Sequence, residues 1–154
     1  MWSTIAIALS LAALEVAEPQ PKGDPALDLM RTFAEGLNNG DAAAVNKALA
    51  PNVTIYWVER RINGRQNMIN YLIDLSRAYP SLALSVDEAV PATSRTVSTV
   101  WGEGELNMVG RGTAPSVQLN FRYTAVAQKL KTGWALTSVH FSVTYPPAFN
   151  FIPK

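Results

Sequence analysis

The chain carries a single histidine, His140, within the stretch GWALTSVHFS. A neutral imidazole exchanges protons near pH 7, so His140 is the first candidate for an acid–base group. Glu59 is the carboxylate that strand alternation places on the same face as Trp57, and a Glu59–His140 pair would form a proton relay. Glu59 also precedes Arg60 and Arg61, where a solvated ion pair of little energetic weight serves equally well. The phenol of Tyr123 is a third group able to work with His140. Trp101, Glu103 and Glu105 share one strand face, interrupted by Gly102 and Gly104. Glycines so placed mark a bulge or bend in a curved sheet, with the carboxylates in solvent.

Other chemistries are excluded by what is missing. There is no cysteine, hence no disulfide, thiol nucleophile or thiolate metal site. With one histidine, a zinc site would have to rest on carboxylates, so neither a metal nor a cofactor is expected. The net charge is +1 and only 16% of residues are charged, which gives no basic face for nucleic acid. The densest basic cluster, Arg60-Arg61 with Arg65, reads as a solvated hairpin or helix start.

These groups need elements to hold them. With 154 residues the chain has room for one domain and one core. Asp24-Pro25 opens a helix, and Ala26, Leu29, Met30, Phe33 and Leu37 recur on one stripe up to Asn38-Asn39-Gly40. Asp41 caps a short second helix carrying Val45 and Leu49, closed by Pro51. NVTIYWVE reads as a strand and RRINGR as a turn. Residues 65–79 form a third helix through Met68, Ile69, Leu72, Ile73 and Leu75, ended by Pro80. Four long strands follow at about 82–90, 95–108, 116–130 and 133–145, the last two joined by a tight turn in KLKTGW. On the third of these runs, Val117, Leu119, Phe121, Tyr123 and Ala125 face one way. Gln118, Asn120, Arg122 and Thr124 face the other, as a subunit interface or wetted face would require. On the last, alternation puts Trp134, Leu136, Ser138, His140 and Ser142 together, opposite Ala135, Thr137, Val139, Phe141 and Val143.

Helices gathered on one side of a curved antiparallel sheet make a single-domain α+β layer fold, a cone with a pocket at its wide end. Its walls would be rings: Phe33, Trp57, Tyr71, Trp101, Phe121 and Tyr123. A small lipophilic ligand suits such walls.

Ahead of the domain, residues 1–21 hold a mainly apolar run at 5–14 followed by Pro19 and Pro21. Ten residues cannot span a bilayer, so no integral membrane segment is expected. The length suits an export signal, which would make the protein periplasmic or secreted. The rival is an apolar N-terminal helix with a proline linker on a cytoplasmic protein. The domain itself is expected over 22–154.

Three stretches resemble the nuclear transport factor 2-like superfamily, and within it the SnoaL-like, cystatin-like branch. FAEGLNNGDAAAVNKALAPNVTIYW resembles the first two helices and first strand, with Asn39-Gly40-Asp41 at the junction. INGRQNMINYL resembles the entry to the third helix through Gly64, Arg65 and Ile69. GWALTSVHFS resembles the closing strand through Trp134, His140 and Ser142. The resemblance covers residues 24–146 and implies that the His140 and Ser142 face points into the cone.

The superfamily holds isomerases, dehydratases, epoxide hydrolases, cyclases and non-catalytic association domains, so fold alone does not give function. The resemblance puts Trp57 where a ketosteroid isomerase keeps its carboxylate base, and Phe33 where it keeps its phenol. No aspartate follows Asp87 to build an epoxide hydrolase network, and a scytalone-type dehydratase wants two histidines. Ala125 stands near the pocket arginine of the association domains. The expectation is therefore a small-molecule-binding, non-catalytic homodimer with an apolar pocket. The alternatives are an isomerase, dehydratase or cyclase acting through His140, and an exported assembly module.

Overall fold

A computed structural model describes residues 23–57 and 60–143. The N-terminal segment, Glu59 and the residues after Val143 lie outside the described residues. Three helices, α1 (Pro25–Asn39), α2 (Ala42–Ala48) and α3 (Arg65–Ala78), combine with seven strands. The strands are β1 (Leu49–Trp57), β2 (Arg60–Asn63), β3 (Ser81–Leu84), β4 (Asp87–Thr93), β5 (Val97–Val109), β6 (Val117–Leu130) and β7 (Gly133–Val143). They form one strongly curled sheet in the order β2-β1-β7-β6-β5-β3, with β4 also paired to β5. All pairings are antiparallel except β1 with β7, which run parallel because α3 and the later strands intervene.

The α1 stripe forms as expected: Ala26, Met30, Phe33 and Leu37 are buried. Gly40 ends the helix in the left-handed region at φ 63°. The start differs in detail from a simple cap. The Asp24 carboxylate does not bond its own helix. It accepts from the hydroxyls of Thr93 and Ser98 at 2.8 and 3.2 Å, and Ser98 Oγ in turn accepts the Ala26 N–H at 3.1 Å. The cap is thus relayed through a fully buried serine and ties α1 to β4 and β5. Asp41 caps α2 directly, from the amides of Ala43 and Ala44. The Asn38 side chain gives and takes a bond with the backbone of Leu84, clamping α1 to β3. Arg65 bonds the carbonyls of Asn46 and Leu49, which closes the end of α2 and explains an arginine at the entry to α3.

Several boundaries move. Arg60–Asn63 is a strand paired to β1, where the sequence reads as a turn. The run expected at 82–90 breaks at Ser85 and Val86 into β3 and β4, which pair with different parts of β5. Gly104 permits the close approach there. A Cβ at Gly104 would run into the Ser85 carbonyl and stand 2.7 Å from the Phe121 ring. The β6–β7 hairpin closes from Leu130 to Gly133, as the KLKTGW turn requires.

The decisive irregularity is in β7. Val126 pairs with Ser138 and Ala127 with Leu136, so Thr137 is an extra residue bulged out of the ladder. The bulge reverses alternation within the strand. Leu136, Val139 and Phe141 are all buried, while His140 and Ser142 are exposed.

Candidate functional site

The inner face of the sheet is an aromatic wall. Trp57, at the end of β1, meets Phe141 edge-on at 5.0 Å, and Phe141 meets Phe121 at 5.2 Å. Phe121 continues to Tyr123 at 6.3 Å, and on its other side Trp57 meets Tyr71 of α3 at 6.3 Å. Each edge-to-face contact adds about 0.5–1.5 kcal/mol beyond area burial. Gly102 and Gly104 lie directly opposite Tyr123 and Phe121 across the β5–β6 ladder. At Gly104 the Phe121 ring occupies space that a β5 side chain would otherwise fill.

Between α3 and this wall, at the end near the β5–β6 loop, opens a cavity of about 390 Å³. Its rings are Trp57, Tyr71 and Tyr79. The facing pairs Leu106–Leu119 and Met108–Val117 supply its aliphatic floor, with Leu75 above and Pro115 at the loop. One charged group stands at the rim. The Arg60 guanidinium lies 5.1 Å from the centre of the Tyr71 ring, a stacked cation on an aromatic face. Among the described residues no imidazole or carboxylate lines this cavity.

The structure separates the residues that the sequence put together. Trp57 and Tyr71 line the cavity. Phe33, Phe121 and Tyr123 are buried in the core outside the cavity lining. Trp101 and Ser142 lie on the outer face of the sheet, as does His140, so the expectation that this side of β7 lines the cone is corrected. The physical reason is the Thr137 bulge: Phe141 takes the inward position, and its neighbours on either side turn out. Glu59 lies outside the described residues, so no geometry joins it to His140. Phe141, in the ring wall, and Tyr79 and Arg60, in the cavity lining, are residues that the sequence reading missed. The regular series Val139, Phe141, Val143 carried the signal for the first. Nothing local could place Arg60 against a helix residue eleven positions on.

On the outer face His140 belongs to a row that crosses the sheet. Arg61, Tyr56, His140, Thr124, Trp101 and Val90 are successive ladder partners on β2, β1, β7, β6, β5 and β4. Tyr56 and His140 meet edge-on at 5.5 Å, and Arg61 lies 5.8 Å from the Tyr56 ring. Tyr56 and Trp101 are 44% and 46% exposed, large for rings in mid-sheet. The adjacent row, Ser142, Arg122, Glu103 and Asp87, holds an exposed Arg122–Glu103 ion pair at 3.0 Å. A shallow depression on this face is lined by Trp101, Thr124, Arg122 and Ser142 together with Tyr123, and His140 does not line it.

The Tyr123 phenol is a titrating group whose environment shifts it. It is 2% exposed and its hydroxyl has no hydrogen-bond partner among the described residues. Burial pushes the phenol above its ordinary range, Arg31 opposes the shift, and Asp87 adds to it. Among the described residues no helix is long and apolar enough to cross a membrane, and no group of three His, Asp or Glu side chains is placed to hold a metal ion.

Comparisons with known proteins agree on the fold. The solved structure of a nuclear transport factor 2-like superfamily protein from Salmonella enterica superposes with a TM-score of 0.70 at 13% identity, covering 80% of this chain and 92% of that one. An uncharacterised protein with a cystatin-like fold from Caulobacter vibrioides gives 0.69 at 13% identity, over 82% and 92%. A proposed dehydratase of the same family from Streptomyces avermitilis gives 0.67 at 15% identity, over 77% and 93%. Identities this low carry the fold and not the activity. No curated protein matches the sequence. The profile of the SnoaL-like domain matches residues 26–146, nearly the whole of the described region, and the chain belongs to that family.

Proposed function

We propose that this protein binds a small, mainly apolar molecule in the cavity between α3 and the inner face of the sheet, and performs no acid–base step there. The observation that carries the reading is the lining: three rings and an aliphatic floor, without an imidazole or carboxylate among the described residues. A volume of about 390 Å³ falls within the ~300–1,000 Å³ typical of small-molecule sites. His140, on the opposite face, is removed from any ligand held there.

Native mass spectrometry of the protein from its own cells tests this. A retained small molecule, lost when Leu106→Trp fills the cavity, is the expected result. A clean apo mass from every preparation, with no lipophilic probe taken up, overturns it. Turnover of a lipophilic substrate that His140→Ala abolishes would favour the enzyme alternative instead.

The outer face is where we place a second copy. Its exposed Tyr56 and Trp101 flank His140, and its next row carries charges of both signs, a mixture that a two-fold contact between identical faces can satisfy. Light scattering at rising concentration is the check, and a monomer throughout would refute the pairing. Export, proposed from the apolar run at residues 5–14, is tested by N-terminal sequencing of protein from the native host.

A further inference from the structure

We infer that the ligand of this cavity is a compact aromatic carboxylate, with its ring system held against Trp57, Tyr71 and Tyr79 and its anionic head on Arg60. The inference rests on the binding reading above and adds a chemical class to it. Three observations carry it.

First, the cavity is amphiphilic in one direction. Its depth is apolar, through Leu106, Met108 and Leu119, and its rim carries one permanent cation. Arginine stays charged at every physiological pH and presents a planar fork that matches a carboxylate.

Second, that cation is positioned and lacks a described counter-ion. The guanidinium is stacked 5.1 Å from the Tyr71 ring, which fixes its location at the cavity mouth. The described ion pairs are Arg77 with Asp74 and Arg122 with Glu103, both away from the cavity. Stacking leaves the edge of a guanidinium available for hydrogen bonds, because the ring occupies only its face.

Third, size and shape favour rings over a long chain. About 390 Å³ lies near the lower end of small-molecule cavities, which suits one or two fused rings. Trp57 and Tyr71 already meet at 70° to one another, so a flat guest can stack on one ring while touching the edge of the other.

The test is calorimetric titration of the full-length protein with 2-naphthoate, with its neutral isostere 2-naphthamide, and with decanoate. The expected result is an affinity for the carboxylate about tenfold above the amide, a margin that narrows in high salt. Arg60→Gln should erase that margin while leaving amide affinity within about twofold, and Arg60→Lys should restore part of it. Circular dichroism verifies that each variant is folded. Equal affinity for naphthoate and naphthamide in the unaltered protein overturns the carboxylate and leaves the apolar binding site standing. Decanoate binding as tightly as naphthoate overturns the aromatic component. If none of the three binds, the inference and the binding reading both fail.

Discussion

The two faces of one sheet differ more than any two regions of this molecule. Residues 140 and 141 are adjacent in β7, yet His140 lies in an exposed row and Phe141 is 3% exposed between Trp57 and Phe121. The inner face is closed by rings stacked edge to face, with Gly104 on β5 making the room for Phe121. The outer face mixes Tyr56, His140, Trp101 and an exposed ion pair. The difference shows that the ring wall and the chain's one imidazole can share a strand without sharing a side.

Substitutions should separate the faces, and the largest effect belongs to the ring wall. Phe141→Ala removes a ring packed edge-on against Trp57 and Phe121 and should cost about 3–5 kcal/mol in chemical denaturation. Gly104→Ala puts a methyl into the Ser85 carbonyl and the Phe121 ring, and about 1–3 kcal/mol is expected. Should either prove neutral, the inner face is looser than its contacts indicate.

Tyr123 sharpens the comparison in the opposite direction. Its buried hydroxyl lacks a described partner, so Tyr123→Phe should stabilise the protein by about 1 kcal/mol. The pH dependence follows from the raised phenol. The neutral form is the one the fold accommodates, so its contribution is whole below the unfolded value near pH 10. It is lost as pH rises through the higher folded value. The Phe variant should lack this alkaline loss in melts taken between about pH 8 and 11.

Outer-face changes should be small. Arg122→Gln breaks an ion pair whose side chains are more than half exposed, and less than about 1 kcal/mol is expected. His140→Ala, measured in dilute protein, should fall within about 0.5 kcal/mol of the original. A loss of several kcal/mol at His140 would erase the contrast between the faces.

Much of the fold was readable locally. The α1 stripe, the Gly40 stop, the Asp41 cap and the KLKTGW turn depend on neighbours within a few residues, and all formed. So did the strict alternation of β6. The site was less readable. Trp57 and Tyr71 were found as rings at the right ends of their elements, while Arg60, Tyr79 and Phe141 were not. A one-residue bulge has no fixed sequence mark, and Thr137 broke the alternation that had grouped Leu136 with His140 and Ser142.

By itself, then, the sequence determined the three helices, the Gly40 stop, the Asp41 cap and most strands, because short-range sterics and hydrophobic period set these, while the family was legible through the resemblance of three stretches. Only the tertiary structure decided which face of β7 meets the core, and that Arg60 meets Tyr71 at the mouth of a cavity. Those outcomes depend on ladder register and on contacts between separate elements, which no local pattern encodes.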